Sequence, residues 1–406
     1  MKKLIAVLLA AVITAGIFAG CGKGAKSVEL KWIDNPSSKE EYMNNAKIQS
    51  LTQLGNTYRL KKAIEKAKNG EDVNIVYIGG SITEGDHLDT CYANRSFNYF
   101  KDKFGKGDGE NIHYINSGIS GTGSKLGALR CEDDVTSHNP DIVFIEYAVN
   151  DGGDRTDFDG FECLIRDCLE CESQPAVILL FARAEGFTSQ DWKKEIGKHY
   201  NVSMISYADG ITYLFDNKAL TWGEFSRDGL HPNADGNAVV AEFIAYFFDE
   251  VDRLPGDETD LTIPDRLYDG FLEDAHLLQK TNYEHTDETK GSWRKKSSGF
   301  HYENGWTKTF DESNDPLVFE FTGRHAYVLY PSSENEGFGV LNVKVYFNGE
   351  LIDTKTFDEH VQGGWMYPTI GLLNYSATPG DYRIEITADG DNVKCDLQVL
   401  AVAYTD

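Results

Sequence analysis

Beyond its first twenty residues the chain has no apolar run long enough to cross a bilayer, a task that takes about 20 consecutive apolar residues. No internal membrane span is therefore expected. Basic residues are also scarce, with 39 Lys and Arg against 65 Asp and Glu for a formal charge of −26. A surface of that sign repels phosphate backbones and anionic lipid, which excludes nucleic acid as a partner and suits a neutral, sugar-like one. No internal repeat and no low-complexity stretch is present. Cysteine is sparse, and apart from Cys21 six remain: Cys91, Cys131, Cys163, Cys168, Cys171 and Cys395. Cys163, Cys168 and Cys171 have a C-x4-C-x2-C spacing, but they fall in Phe161 to Glu172, a segment of helical pattern with no fourth ligand nearby. No metal or cluster is expected there; thiols or a single disulfide remain open.

What is there begins with Lys2 and Lys3, an apolar run from Leu4 to Ile17, and Phe18-Ala19-Gly20-Cys21. The run is too short to span and reads as an export signal. Small residues before a cysteine resemble the lipobox of bacterial lipoproteins, which implies lipidation of Cys21 as the mature N-terminus. Phe18 departs from the aliphatic residue usual at its place, and an ordinary secretory leader with an incidental cysteine is the alternative. The expectation is a signal peptide over residues 1–20 and a tether over 21–45. The protein would then be exported, facing the cell surface or periplasm and touching membrane only through its lipid.

Charged residues at helical spacing over Ala46 to Asn69 predict a helix, and the β-branched run Val73 to Ile78 predicts a buried strand. The alternation continues with strands at Ile112 to Ile115, Asp141 to Tyr147, Ala176 to Phe181 and Val202 to Ser206. Helices are expected at Gly160 to Glu172, Asp191 to Tyr200 and Ala234 to Asp249. Strands alternating with helices imply a parallel sheet covered on both faces, a three-layer α/β/α domain over residues 46–253. Pro255, Gly256 and Pro264 among acidic residues mark a linker over 254–264. Beyond it come short alternating runs at Leu317 to Phe321, Ala326 to Tyr330, Leu341 to Phe347, Tyr382 to Ala388 and Lys394 to Tyr404. Turn residues such as Asn348-Gly349 separate them, and an antiparallel β-sandwich is expected over 265–406.

The first strand runs into Gly79-Gly80-Ser81-Ile82-Thr83-Glu84-Gly85, which puts a serine just past the carboxyl end of a buried strand, the edge where open α/β sheets bind ligands. The next two strand ends carry Asn116-Ser117-Gly118-Ile119-Ser120-Gly121-Thr122-Gly123 and Ala148-Val149-Asn150-Asp151. Before the last helix stands Asp228-Gly229-Leu230-His231-Pro232. Each segment alone has an ordinary structural reading, as a turn or a helix cap. In this order, over Asp72 to Phe248, the four resemble the blocks of the SGNH (GDSL-like) hydrolase family, whose catalytic domain is flavodoxin-like.

The chemistry suits the residue types. A serine hydroxyl needs a base as it attacks, and a histidine titrates near the right pH. An aspartate three residues before that histidine is placed to hold its other nitrogen. The resemblance implies Ser81 as nucleophile, His231 as base and Asp228 as its partner. It also implies an oxyanion hole from the backbone N–H groups of Ser81 and Gly121 and the Asn150 amide, with Gly118 a substitute for Gly121, and no metal or organic cofactor. Two positions depart from the family pattern: its aspartate before the nucleophile is Gly80 here, and the glycine of its Gly-x-Asn-Asp block is Ala148.

Export, negative charge and an aromatic-rich C-terminal region point to an acylated glycan as substrate. Trp293, Trp306, Tyr327, Tyr330, Trp365 and Tyr367 are either sugar-stacking residues or core. SGNH enzymes with an attached β-sandwich resemble carbohydrate esterases, so removal of O-acetyl groups through an acyl-enzyme is expected. The alternatives are a lipid esterase or thioesterase of the same fold, and a surface glycan-binding lipoprotein whose hydrolase domain is vestigial.

Overall fold

The computed structural model describes residues 29–85, 90–283, 293, 295–296, 301–308, 313–390 and 394–406. The leader and Cys21 lie outside them. Two compact units result. Of the described residues, the first holds those up to Gly118, His138–Gly153 and Cys168–Asp265; the second holds those within Ile119–Ser137, Asp154–Asp167 and Arg266–Asp406.

Up to Arg253 the elements are α1 (Lys39–Ser50), β1 (Leu51–Gln53), α2 (Tyr58–Asn69), β2 (Val73–Gly79), α3 (Ser81–Glu84), α4 (Tyr92–Phe104) and β3 (Ile112–Gly118). There follow α5 (Ser124–Leu129), α6 (Cys131–Asp134), β4 (Ile142–Glu146), α7 (Arg155–Glu170), β5 (Ala176–Phe181), α8 (Gln190–His199) and β6 (Ser203–Ser206). The last are α9 (Tyr207–Asp216), α10 (Trp222–Phe225) and α11 (Ala234–Arg253).

The sheet of the first unit has the order β1-β6-β5-β4-β2-β3. Its five longer strands run parallel, in registers such as Ile75 opposite both Tyr114 and Ile142, and Phe144 opposite Ile178. Every residue of β4 and β5 is buried, as expected of strands covered on both faces. One helical layer is fixed by rings: Phe248 of α11 lies 5.2 Å from Phe100 of α4 and 6.0 Å from Phe144 of β4, and Phe144 stacks on Tyr77 at 4.7 Å. These pairs add to burial energy where they meet edge to face.

The helix expected over Ala46 to Asn69 is two helices with a strand between them. Gly55 takes φ +62°, and β1 pairs antiparallel with β6, Leu51 opposite Ile205. The backbone of Leu51 to Gln53 thus satisfies itself on the sheet edge and not in a helix. Upstream, α1 starts at Lys39, capped by Ser38, and Asn45 holds both the N–H and the carbonyl of Ile33. Trp32 meets Tyr213 edge to face at 5.4 Å. Part of the segment expected as a tether therefore packs on this unit.

The second unit contains β7 (Ala275–Leu278), β8 (Lys295–Lys296), β9 (Trp306–Lys308), β10 (Leu317–Ser333), β11 (Val340–Phe347), β12 (Glu350–Asp358), β13 (Trp365–Ala388), β14 (Leu397–Val399) and β15 (Ala401–Thr405). A six-stranded antiparallel sheet, β12-β11-β13-β10-β15-β7, and a three-stranded one, β14-β9-β8, share one core. That core includes Trp306, Phe319, Val343, Ile384, Leu397 and Val399. This is the expected sandwich. Leu317 to Phe321 and Ala326 to Tyr330 prove to be one strand, because β10 stays paired with β13 from Leu317 to Ser333 and absorbs a register shift at Gly323 to His325. Between β11 and β12, Asn348 and Gly349 both take positive φ (+50° and +83°), the requirement of a two-residue hairpin turn.

The first part of α7 belongs to this unit for a polar reason. Asp159, 2 % exposed, accepts the backbone N–H groups of Gly270 (2.6 Å) and Phe271 (3.0 Å), and Glu162 accepts those of Leu267 (2.6 Å) and Tyr268 (2.8 Å). The carboxylates act as acceptors for a loop that has no strand partner. Asp159→Ala is expected to lower stability by about 1–3 kcal/mol by orphaning the buried Gly270 N–H, and Asp159→Asn, which keeps an acceptor, by less. Urea unfolding midpoints check both.

Candidate active site

Ser81 opens α3 directly after β2, with Gly79 and Gly80 making the turn. A Cβ on Gly79 would lie 2.1 Å from Thr83 Oγ1, and one on Gly118, at the end of neighbouring β3, 2.2 Å from the Glu84 backbone nitrogen. No larger side chain leaves α3 where it is. Ser81 is thereby set at the carboxyl edge of the sheet.

His231 reaches it from a loop braced by its own polar groups. Ser226 Oγ donates to the His231 carbonyl (2.9 Å) and accepts the Gly229 N–H (3.0 Å), and Gly229 takes φ +79°. Asn233 caps α11, accepting the N–H groups of Asp235 and Gly236. One turn into that helix, Asn237 donates to the Pro232 carbonyl (2.9 Å) and accepts the Tyr92 N–H (2.9 Å), which ties the loop to α4.

The result is a hydrogen-bonded chain of three side chains. His231 Nδ1 lies 2.7 Å from Asp228 Oδ2 and His231 Nε2 lies 2.8 Å from Ser81 Oγ. An ionised carboxylate only accepts, so Nδ1 carries the ring proton and Nε2 is left to receive the serine's. Asp228 also accepts the backbone N–H groups of His231 (2.7 Å) and Leu230 (3.0 Å). Partial burial pushes its carboxyl up, but the His231 side chain and these two N–H groups outweigh that and hold it down at about 2. It stays charged at any working pH.

Asn150 sits in the turn after β4, its N–H bonded to the Tyr147 carbonyl (3.2 Å). A Cβ built on Gly80 would meet Asn150 Oδ1 at 2.5 Å, so the amide lies against the nucleophile's turn in the space that a side chain at position 80 would need. Ala148, the other departure from the family pattern, is buried and its carbonyl accepts both the N–H (2.8 Å) and the hydroxyl (3.0 Å) of Ser189.

The structure thus joins Ser81, His231 and Asp228 directly and sets Asn150 beside them. Gly121 belongs to the second unit, with φ +74° and its Cα facing the Trp365 ring and Tyr367. Of the aromatic candidates, Trp293, Trp306 and Tyr327 are buried and belong to the second unit's interior. Trp365, 48 % exposed, presents a ring to solvent. Cys163 donates toward Asp159 (3.7 Å) and Cys171 contacts Ser173 (3.3 Å). Among the described residues no cluster of three His, Cys, Asp or Glu is arranged to hold a metal.

Sequence reasoning missed the polar groups beneath the serine. Thr83 Oγ1 contacts Tyr92 Oη (2.8 Å) and donates to Glu146 Oε2 (3.2 Å), all of them buried. Burial raises the Glu146 carboxyl to about 7, against the opposing Thr83 hydrogen bond. No signal in an apolar strand ending in Glu marks this role.

A carboxyl near 4.5 unfolded and near 7 folded keeps its proton longer in the folded state. Stability is therefore full below the lower value, falls as pH rises between the two, and is flat above. The wild type should lose stability across that window relative to Glu146→Gln, and denaturation at a series of pH values checks it.

Residues 77–239 match the family model described as the GDSL-like lipase/acylhydrolase family. A solved two-domain esterase active on acetylated mannans is similar over 89 % of this chain and 98 % of its own, at 26 % identity and a TM-score of 0.76. The same type of esterase co-crystallised with mannopentaose gives the same coverage, 25 % identity and a TM-score of 0.75. No match was found among curated proteins. The first unit has the SGNH hydrolase fold, and the chain carries, over residues 77–239, a domain of the GDSL-like lipase/acylhydrolase family.

Proposed function

We propose that this protein is a serine esterase that removes O-acetyl groups from a polysaccharide, with an acetylated mannan as the leading substrate class. The observation that carries the proposal is the Ser81–His231–Asp228 chain, with contacts of 2.8 and 2.7 Å. The mannan-active two-domain neighbour, similar over both units, supports the substrate class. Exposed Trp365 beside Tyr367 offers a face on which a sugar ring stacks.

In this reading His231 Nε2 takes the Ser81 proton as Oγ attacks the acetyl carbonyl, and the imidazolium is stabilised by charged Asp228. Negative charge on the carbonyl oxygen is received by the Ser81 N–H group and the Asn150 amide. Collapse expels the sugar hydroxyl, which receives the proton from His231. Water then attacks the acetyl-Ser81 ester with His231 as base again, releasing acetate and restoring the serine. No step needs a metal or cofactor. Export and lipid attachment at Cys21 belong to the same proposal, since a polymer substrate is met outside the cell.

Acetate release from acetylated glucomannan should be fast for the wild type and lost in Ser81→Ala. Among p-nitrophenyl esters, acetate should be cleaved faster than octanoate. Preference for octanoate would favour the lipid esterase, and no Ser81-dependent cleavage of any ester the vestigial-domain reading. Asp228→Asn should lower kcat at every pH from about 5 to about 9, because Asp228 is charged throughout that range and the amide neither stabilises the imidazolium nor selects the tautomer that leaves Nε2 open. A wild-type kcat for this variant would show that the carboxylate has no part in the reaction.

A further inference from the structure

A lysine buried in the first unit has no part in the chemistry above. Lys193 lies on α8 with its side chain 1 % exposed, and Nζ is 2.7 Å from Oδ2 of Asp151, whose side chain is equally buried. Nζ is also 3.0 Å from Ser189 Oγ and 3.6 Å from the centre of the Trp192 ring. Taking both charges from water costs several kcal/mol each, and an apolar pair of the same volume commonly does as well for stability. What an apolar pair lacks is direction.

The directed bonds converge on one turn. Asp151 follows Asn150 in the chain. Ser189, held by Lys193, grips the Ala148 carbonyl two residues before Asn150 through both its N–H and its hydroxyl. The N–H groups of Asn150 and Asp151 both reach the Tyr147 carbonyl, at 3.2 and 3.3 Å. The turn is thus clamped on each side of Asn150, whose amide already abuts Gly80.

We infer that Lys193 is a positioning residue for the reaction: through its buried contacts with Asp151 and Ser189 it fixes the turn that aims the Asn150 amide at the developing oxyanion. The inference rests on the reading of Asn150 as an oxyanion donor. Preorganised donors act only where they are already aimed, and displacement of about 1 Å costs up to about 100-fold in rate.

A double-mutant cycle on the full chain, with p-nitrophenyl acetate as probe, tests it. Asn150→Ala should lower kcat by about 100-fold to 1,000-fold. Lys193→Met should lower kcat by about 10-fold to 100-fold with KM little changed, and should have less than about a 2-fold further effect when Asn150 is already Ala. Ser189→Ala, which keeps the ion pair and the backbone bond, carries the same test if Lys193→Met does not fold. Its smaller loss should likewise vanish in the Asn150→Ala background. An equal loss in both backgrounds, or a wild-type kcat for both Lys193→Met and Ser189→Ala, overturns the positioning role. A wild-type kcat for Asn150→Ala instead overturns the oxyanion reading on which it depends.

Discussion

The 2.8 Å hydrogen bond from Ser81 Oγ to His231 Nε2 joins residues 150 positions apart, and most of what is distinctive in the first unit serves to keep that distance. Ser81 has little freedom because glycines on two adjacent strand ends let α3 settle on the sheet edge. His231 has little because Ser226, Asp228 and Asn237 bond to its loop from three directions. A free serine and a free histidine would meet only at a large entropic cost, and the fold meets that cost before substrate arrives. Asp228 supplies the last constraint by selecting the tautomer that leaves Nε2 open.

Beneath this edge the interior is less apolar than a parallel sheet requires. Glu146, Thr83 and Tyr92 form one buried polar cluster, and Lys193, Asp151 and Ser189 form another. Half-satisfied polar groups in a core are costly, whereas satisfied ones impose geometry. Both clusters touch segments bearing proposed reacting groups, α3 in one case and the Asn150 turn in the other. In the second unit the aromatics divide similarly by role, with buried Trp306 and Tyr327 and an exposed Trp365.

Much of this was legible in the sequence, and the exceptions have physical reasons. Strands such as Val73 to Ile78 and Ala176 to Phe181 are largely apolar runs, the mark of burial on both faces, and they fall where expected. The candidate residues were legible because the chemistry dictates their types and the sheet dictates their order. The break between α1 and α2 was not, since β1 exists only by pairing with β6, far away in the chain. Leu317 to Phe321 and Ala326 to Tyr330 were read as separate strands, but a cross-strand partner and a bulge carry β10 through Gly323 between them. Lys193 was invisible because a lysine in an amphipathic helix is ordinarily solvated, and its ion partner lies 42 residues upstream.

The contact between Gly80 and Asn150 has a consequence for heredity and for engineering. The amide lies in the volume that a side chain before the nucleophile would fill, so a larger residue at position 80 requires the amide to move aside. A chimera that imported the more usual Gly-Asp-Ser turn would press its new side chain on that amide, so a recombinant library on this scaffold should swap the segments around β2 and β4 together.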